Sequence, residues 1–422
     1  MQHFTSSLLA MGNHVHTDSL EQLYQQHARQ VLATLIRLLG EFELAEEATQ
    51  EAFYAAMQQW PSDGWPDNPL AWLITTGRRK GIDQIRRRQT ARQFAAAQQP
   101  LLDEAEPNLE SSAIQDDQLR LIFTCCHPAL SADARLALTL RELCGLTTEQ
   151  VAAALLQQPT TLAQRIVRAK QKIKAAAIPY EIPTAKELPA RLQSVLQVIY
   201  LIFNEGYSSS RGDQLLDSRL ADEAIRLGRQ LAGLIADTEV HGLLALMLLQ
   251  HARQHARQDT NGDLITLEMQ DRSLWLQPLI SEGQHWLQQA LTQGPAGIYG
   301  LQAAIAAVHA EAGSFASTDW QQIQGLYQLL YQQWPSPVVA LNRAVAIAMC
   351  QGPEAGLQEL DALSSHKAIQ NYHLYHAAKA DLYRRAGQVQ AARTAYQRAL
   401  ALVQQEPERR FLQQQLKTLT DE

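Results

Sequence analysis

Apolar side chains recur along most of the chain at the three- and four-residue spacing of one face of an α-helix. No stretch alternates apolar and polar residues with the two-residue period of a half-buried strand. The clearest stripe predicts a first helix from about Asp18 to Leu39, ended by Gly40, after a disordered leader over residues 1–17. With 46% hydrophobic residues available for cores, the pattern predicts an all-α protein.

Acidic residues gather at the start of a second predicted helix, which runs from about Glu43 to Gln59. The positive end of the helix dipole favours acids in the first turn and explains part of this cluster. Glu46, Glu47 and Glu51 lie around or beyond the first turn, so the alternative is a surface for a basic partner.

A turn-rich loop is predicted over residues 60–67 and holds two tryptophans, Trp60 and Trp65. Next to a basic helix, indole rings can form a platform on which an unstacked base rests. The alternative is that both rings fill the small helical core. The sequence leaves both roles open.

The helix that follows is strongly basic. Asn68 and Pro69 are typical of a helix start, and residues 68–92 contain seven arginines and lysines against the single acid Asp83. This excess, in a chain of formal charge −7, is the pattern of a phosphate-binding surface. For an isolated helix, a solvated basic face explains the pattern equally well.

A second helical module is predicted over residues 115–178, after a flexible linker over 96–114. Ser131 is expected to cap one helix, Thr147 and Gln150 have the spacing of a capping box, and Pro159 opens a basic helix. Together these elements describe a helix-turn-helix with its recognition helix. The apolar positions available for packing in the basic helix are Leu162, Ile166, Val167 and Ile173.

The two modules resemble bacterial sigma-70 factors of the extracytoplasmic-function (ECF) group. Residues 18–95 look like sigma region 2, with ELAEEATQEAFYAAMQQW as the segment that grips RNA polymerase and NPLAWLITTGRRKGIDQIRRR as the −10-reading segment. Residues 115–178 look like region 4, in which LTTEQVAAALLQQPTTLAQRIVRAKQKIK matches the −35-reading helix-turn-helix. The resemblance implies binding to core RNA polymerase and promoter DNA, with no catalytic residue, metal or cofactor.

The resemblance assigns three sets of residues. The expected polymerase-binding residues are Glu46, Glu47, Gln50, Glu51 and Phe53. The residues expected at the −10 element are Trp60, Trp65, Arg78, Arg79, Lys80, Arg86, Arg87 and Arg88. The residues expected at the −35 element are Thr160, Thr161, Gln164, Arg165, Arg168 and Lys172.

Two departures from the group's pattern bear on these roles. Arg79 stands where the group commonly has asparagine, so a role tied to that amide is not expected here. Leu162-Ala163-Gln164 stands where valine, lysine and serine are frequent, which predicts a different −35 sequence.

The chain as a whole resembles the ECF subgroup with a long C-terminal tetratricopeptide-like extension, through FTCCHPAL, AQRIVRAKQKI, YLIFNEGYSSS, QDRSLW, AAIAAVHAEA and SPVVALNRAVAIA. Residues 185–422 are predicted to be all-helical, with repeats clearest over 337–404. Ala380 and Tyr396 occupy repeat positions that a shift of about 36 residues aligns with Ala344 and Leu360. Residues 179–422 hold 19 basic and 24 acidic residues, so a protein or peptide partner is expected there, and not nucleic acid.

Two other clusters invite a chemical interpretation. Cys125, Cys126 and His127 are candidates for metal or redox chemistry, but no second pair stands at zinc spacing, which favours buried packing. Residues 204–207 (NEGY), with Arg211 nearby, have no nucleophile–base pair beside them, which favours a capped interdomain turn.

The rest of the sequence limits the alternatives. Four cysteines without a disulfide framework fit a reducing cytosol, residues 1–16 do not form a signal peptide, and no apolar run is long enough to cross a membrane. A cytoplasmic sigma factor is the leading hypothesis. The rival is a stand-alone helix-turn-helix activator with a helical-repeat sensor, which leaves residues 18–95 unexplained. An enzyme is disfavoured because the 13 histidines show no metal spacing.

Overall fold

The computed structural model describes residues 14–93, 111–155, 157–207 and 218–421. Within these ranges the regular structure is helical and includes no β-strand, which confirms the all-α prediction. The chain divides into two compact units between Val198 and Ile199. None of the helices in these ranges is long and apolar enough to span a bilayer.

Three long helices begin the N-terminal unit: α1 (His14–Leu39), α2 (Phe42–Asp63) and α3 (Pro69–Gln93). The first begins inside the stretch predicted as a leader, whose residues 1–13 lie outside the described ranges. The second continues past the predicted end at Gln59, so the turn-rich loop is reduced to residues 64–68.

Local sequence explains these boundaries. Asn68 Oδ1 accepts a hydrogen bond from the amide of Ala71 at 3.1 Å, as predicted for the residue that caps α3. Gly40 joins α1 to α2 with φ of 73°, a conformation that glycine adopts without strain. Ala45, Ala48 and Ala52 of α2 are fully buried, and such small side chains allow neighbouring helices to approach closely.

The second module contains α4 (Ser111–Cys125), α5 (Ala132–Leu138), α6 (Thr148–Ala154) and α7 (Pro159–Ala175). Helix α5 runs directly into a π-helical turn over Thr139–Leu143. The predicted capping box is present, because the Thr147 amide donates to Gln150 Oε1 at 2.8 Å and the Gln150 amide donates to Thr147 Oγ1 at 3.1 Å. The predicted helix-turn-helix is therefore formed by α6 and α7.

The two modules pack into one unit, whereas the sequence predicted that a flexible linker separates them. Asp117 of α4 is buried, and its Oδ1 accepts from Arg37 Nε of α1 at 2.7 Å. The Tyr180 hydroxyl donates to the carbonyl of Ala33 at 2.9 Å, which ties the end of the second module to α1. Helix α4 begins at Ser111, inside the predicted linker, and residues 94–110 lie outside the described ranges.

Gly145 shows how closely the two modules approach. It ends the π-helical turn with φ of 71°, and a side chain added there would overlap the guanidinium of Arg29. Arg29 donates to the carbonyl of Cys144 at 2.7 Å and so satisfies an acceptor at the end of that turn. The glycine is required both by the turn and by the arginine from α1.

Helix α8 (Leu188–Tyr207) contains the division between the two units. Its first half belongs to the N-terminal unit, where Ser194 Oγ donates to the carbonyl of Cys126 at 2.7 Å and Arg191 donates to the carbonyl of Phe123 at 3.0 Å. Residues 204–207 are the last turn of this helix, so the interdomain turn predicted there is wrong. Arg211, which accompanied that prediction, lies outside the described residues.

The C-terminal unit is built from consecutive helices that pack on their neighbours in the chain. The helices are α9 (Ser218–Leu234), α10 (Thr238–His251), α11 (Gln277–Gln293), α12 (Ile298–Glu311), α13 (Trp320–Gln333), α14 (Pro337–Gln351), α15 (Pro353–Ala362), α16 (Lys367–Gln370), α17 (His373–Arg385), α18 (Val389–Leu402) and α19 (Glu406–Asp421). Two short 3₁₀ turns, Gln254–Ala256 and Arg272–Leu274, lie between α10 and α11.

The stretch predicted to hold the clearest repeats contains two helix pairs, α14–α15 and α17–α18. The aligned small residues Ala344 and Ala380 are both fully buried, in two successive hydrophobic clusters. Their aromatic and aliphatic counterparts, Tyr396 and Leu360, are also buried in these clusters. The two pairs therefore place aligned positions in corresponding cores, as expected of repeated helix pairs.

Candidate nucleic-acid interface

The basic face of α3 is open to solvent. Arg79, Lys80, Arg86 and Arg87 are exposed, and Arg78 is partly buried. The Lys80 ammonium lies 3.4 Å from Glu51 Oε2 of α2, with both side chains 47% exposed. The side chain of Arg88, the remaining predicted member of this set, lies outside the described residues. Four of the five described members of this stripe are therefore accessible from solvent, on the side from which a phosphate backbone would approach.

The two predicted platform tryptophans have different environments. Trp60 is only 4% exposed and packs its ring against Trp65 and Trp72, with ring centroids 4.8 and 5.2 Å apart. Trp65 is 39% exposed. A base cannot stack on a ring that is buried, so Trp60 is a core residue in this structure and Trp65 is the accessible member of the predicted platform.

The recognition helix α7 has one buried and one exposed face. Leu162, Ile166, Ala169 and Ile173 are buried at helical spacing. Five of the six residues predicted to read the −35 element, Thr160, Thr161, Gln164, Arg168 and Lys172, are exposed. The helix therefore presents polar and basic side chains at the positions from which a recognition helix contacts the major groove.

Two residues of α7 differ from expectation. Val167 was predicted to pack inward, but it is 45% exposed because it falls on the same face as Gln164. Arg165, predicted to contact DNA, donates to Gln157 Oε1 at 2.9 Å and lies 3.5 Å from Asp133 Oδ2. These contacts hold its guanidinium against the turn that precedes the helix.

The predicted polymerase-binding surface on α2 is largely exposed. Glu47, Gln50 and Glu51 face solvent, and Glu46 is partly buried. Phe53 is fully buried and packs edge to face on Tyr24, with centroids 4.8 Å apart. Phe53 lies on the same face of α2 as the buried Thr49 and Ala56, so in this structure it is a core residue and is not accessible to polymerase.

Lys170 is the main residue that the sequence prediction missed. Its ammonium lies 2.7 Å from Glu46 Oε1 of α2 and 3.0 Å from Glu142 Oε1 of the π-helical turn. The side chains of Lys170 and Glu142 are only 10% and 3% exposed. The available signal was helical spacing, because Lys170 follows Ile166 by four residues and precedes Ile173 by three, which sets it beside the buried stripe of α7.

Glu142 carries the largest electrostatic perturbation at this cluster. Burial, together with the nearby Glu46 carboxylate, raises the pKa of Glu142 to about 7. The pairing of two carboxylates with one ammonium raises the pKa of Lys170 despite its burial. With a pKa of about 7, the Glu142 carboxyl group is partly protonated near neutral pH, and its Oε1 lies 3.0 Å from the Lys170 ammonium.

A further exposed pair joins the same surfaces. Lys174 of α7 lies 2.8 Å from Glu41, directly before α2. With Lys170–Glu46 and Lys80–Glu51, three lysines of the two basic helices are paired with acids at or beside α2. The predicted polymerase-binding surface is thus partly covered by cations from the predicted DNA-binding helices.

The cysteines have a packing role. Cys125, Cys126 and Cys144 are free and buried, and burial raises the pKa of the Cys125 and Cys126 thiols, to about 11 for Cys126. The described residues contain no group of three or more metal-binding side chains. The thiols are therefore held in their neutral form inside the core.

Family models match three parts of the chain. The model of sigma-70 region 2 matches residues 23–91, and the model of sigma-70 region 4 matches residues 120–173. A family of unknown function (DUF6596) matches residues 191–291, which begin in α8 and end in α11.

Relatives of two kinds are found. An uncharacterized protein of Rhizobium meliloti (strain 1021) is 43% identical over 93% of this chain and 94% of its own length. An ECF RNA polymerase sigma factor, SigK of Mycobacterium sp. (strain KMS), is 30% identical over 35% of this chain and 78% of its own length. A probable ECF sigma factor, SigI of Mycobacterium tuberculosis (strain ATCC 25618 / H37Rv), is 24% identical over 47% of this chain and 67% of its own length. No solved structure matches the chain significantly.

Proposed function

The chain belongs to the extracytoplasmic-function group of sigma-70 factors, and we propose that it binds core RNA polymerase and directs it to the −10 and −35 elements of a promoter. Membership of this family makes it a DNA-binding initiation factor and not an enzyme. The observation that carries the proposal is the pair of exposed basic faces, on α3 and on α7, within one helical unit.

Each face suits one promoter element. The exposed polar face of α7 follows a capped helix and a short turn, which is the arrangement that inserts a recognition helix into the major groove. The stripe on α3 tracks phosphates, and the nearby exposed Trp65 receives a base of the opened strand.

The compact N-terminal unit cannot engage both elements at once. Elements centred about 25 base pairs apart are separated by about 85 Å of duplex, at 3.4 Å per base pair. In the compact unit, Lys170 and Lys80 are paired with Glu46 and Glu51, which lie only about 8 Å apart along α2 at 1.5 Å per residue. Promoter recognition therefore requires α7 to leave α2.

Core polymerase is the partner that would drive this separation. The acids of α2 that pair with Lys170 and Lys80 are those expected to bind polymerase. A basic polymerase surface that takes over these carboxylates removes the contacts that hold α7. Binding of core and release of α7 from α2 are then coupled, because each excludes the closed arrangement.

The C-terminal unit is, in this proposal, a tetratricopeptide-like regulatory extension whose partner is a protein or peptide. Its aligned helix pairs and the net charge of −5 over residues 179–422 support a role other than DNA binding. The absence of a bilayer-spanning helix among the described residues is compatible with a cytoplasmic protein.

Run-off transcription tests the proposal. The full chain and purified core polymerase, without another sigma factor, should yield discrete transcripts from genomic fragments. A stand-alone activator, the second candidate, would yield transcripts only when another sigma factor is added. Discrete initiation by the full chain with core alone decides for a sigma factor.

A truncated chain tests the role of the extension in the same assay. The cut belongs after Tyr207, because Arg191 and Ser194 of α8 are part of the N-terminal unit. We expect this truncated chain to transcribe less than the full chain. It should keep its helical circular-dichroism signal and melt cooperatively. Stronger transcription would make the extension an inhibitor.

A further inference from the structure

A cavity of about 380 Å³ lies in the C-terminal unit, where residues from α8, α10, α12, α13 and α14 face one another. Its volume falls within the range of small-molecule sites in proteins, about 300–1,000 Å³. The sigma modules do not contribute to its lining, so its chemistry is independent of promoter recognition.

The cavity is basic. Its lining includes Arg253 and His309 and contains no aspartate or glutamate. Arg253 donates to the hydroxyl of Tyr207, and among the described residues no carboxylate pairs with it. A guanidinium that lines a cavity without a counter-ion attracts an anion, because the low local dielectric strengthens the interaction.

Neighbouring arginines strengthen this positive potential. Arg257 is buried and stacks on the ring of Tyr207, with its guanidinium 3.6 Å from the ring centroid. Arg272 donates to the carbonyls of His309 and Ala312. Neither arginine forms an ion pair with a carboxylate within the described part of the chain. Glu408 lies near enough to Arg257 to oppose the lowering of its pKa by burial, but the guanidinium groups outnumber this acid.

Two polar atoms of the lining also lack partners. His309 Nδ1 and Trp275 Nε1 are buried without a hydrogen bond. Burial and the nearby Arg253 and Arg272 lower the pKa of His309 to about 4, so its ring is neutral at physiological pH. Buried polar atoms without partners are unusual in native proteins and are satisfied when a ligand supplies the missing group.

The remaining walls suit a planar or apolar body. Tyr200 and Tyr327 contribute two aromatic rings, and burial raises the pKa of Tyr327 to about 12, so it stays a neutral hydrogen-bond donor. Trp275 and Trp334 contribute two more rings. Aromatic walls with a few polar groups are typical of sites for small organic ligands.

We propose that this cavity binds a small organic anion, with its carboxylate or phosphate group against Arg253 and its aromatic or apolar body between the tyrosines and tryptophans. A cavity of about 380 Å³ accommodates a small organic molecule but not an extended peptide. Binding of such an anion would make the extension responsive to a small molecule.

The proposal can be tested with two fluorescent probes that differ only in charge. 8-Anilino-1-naphthalenesulfonate carries a sulfonate in place of the natural anionic group, and N-phenyl-1-naphthylamine is the same body without it. The full chain should bind the sulfonate probe at one saturable site. Loss of a charge-assisted hydrogen bond in Arg253→Gln should weaken this binding tenfold or more. Binding of the neutral probe should change less than twofold.

Two further variants keep the test decisive. Arg398→Gln removes an exposed arginine of the same unit, on α18, and should leave both probes unaffected. Ala306→Phe fills the cavity without removing a hydrogen bond and should abolish binding of both probes. If Arg253→Gln does not melt cooperatively, probe binding by Ala306→Phe alone decides whether the cavity is the site.

Equal binding of the sulfonate probe by Arg253→Gln, or its retention in Ala306→Phe, would overturn the proposal. Displacement of the bound probe by phenylacetate or by phenyl phosphate then distinguishes a carboxylate from a phosphate as the preferred anionic group.

Discussion

Lys170 of α7 lies 2.7 Å from Glu46 of α2, so the helix predicted to read the −35 element is bonded to the surface predicted to bind polymerase. The two side chains are only 10% and 24% exposed, whereas those of Lys174 and Glu41 are 76% and 36% exposed. Exposed pairs contribute about 0–1 kcal/mol and are screened by salt. The Lys170 cluster is therefore the stronger of these two links between α7 and the acids at α2.

The first prediction concerns this cluster. Lys170→Met should raise the affinity for core polymerase, because Glu46 is released from its internal partner. Each 1.4 kcal/mol of closed-state stabilisation that is lost corresponds to about tenfold in affinity. Titration of fluorescently labelled protein with core polymerase measures this affinity. Lys172→Met, which removes an exposed lysine of the same helix, is the matched control and should leave core affinity unchanged. Equal affinities for the two variants would refute the role of Lys170.

The second prediction is a pH dependence. The pKa of Glu142 is raised to about 7 in the folded chain against about 4.5 when unfolded, so the folded state holds the proton more tightly. Stabilisation from this group is complete below about pH 4.5 and is lost as the pH rises through about 7, a change of about 3 kcal/mol at most. Urea unfolding at several pH values measures this change, as the difference in unfolding free energy between the wild type and Glu142→Gln.

The control for this pH effect is Glu149→Gln. Glu149 is exposed, and hydrogen bonds from its own amide and from Thr147 lower its pKa. Its variant should follow the wild-type profile between pH 4.5 and 7. A Glu142→Gln profile parallel to that of the wild type would show that Glu142 does not titrate in this window.

The third prediction separates the two tryptophans. Trp65→Ala should reduce strand opening at the promoter with little loss of stability, because its ring is 39% exposed. Trp60→Ala should instead destabilise the N-terminal unit by about 3–5 kcal/mol, as expected for a buried aromatic residue. Permanganate footprinting of opened DNA and urea unfolding measure the two effects. An opening defect in Trp65→Ala that is explained by unfolding would contradict the assignment.

The fourth prediction distinguishes base reading from phosphate binding on α7. Gln164→Ala should change the bases selected at the −35 element, at a cost of about 1–3 kcal/mol on the native site. Arg168→Ala should weaken binding on all sequences and reduce the salt slope by about one unit. Selection from a randomised −35 library and a salt titration test the pair. The same selected motif for Gln164→Ala and the wild type would remove its role as a base reader.

The sequence was informative where local chemistry decides the outcome. The capping box of Thr147 and Gln150, the cap of Asn68 and the helix stop at Gly40 depend on neighbouring residues, and each is present as predicted. The helical apolar spacing likewise predicted the all-α class. Such features need no information about the rest of the fold.

The sequence failed where distant residues decide. Helical spacing sets Lys170 beside the buried residues Ile166 and Ile173 and turns Lys172 toward solvent, but nothing local identifies Glu46 as the partner of Lys170. The family resemblance assigned Phe53 to an interaction surface, whereas in the fold its ring is buried and packs against Tyr24 of α1. The packing of the two modules was missed because Arg37 and Asp117, which join them, are 80 residues apart.

The central claim is that core polymerase opens a pair of DNA-reading modules that are closed in the free chain. Dyes attached at the exposed positions Gln59 of α2 and Ala175 of α7, in a Cys350→Ser background, report their separation by energy transfer. The other three cysteines are buried, so labelling is confined to the two introduced sites.

This distance measurement, made on the free protein and on its complex with core polymerase and promoter DNA, is the most direct test. We expect efficient transfer in the free chain and its loss in the complex, because elements about 85 Å apart along the duplex must be contacted together. Unchanged, efficient transfer in a complex that initiates transcription would contradict this claim.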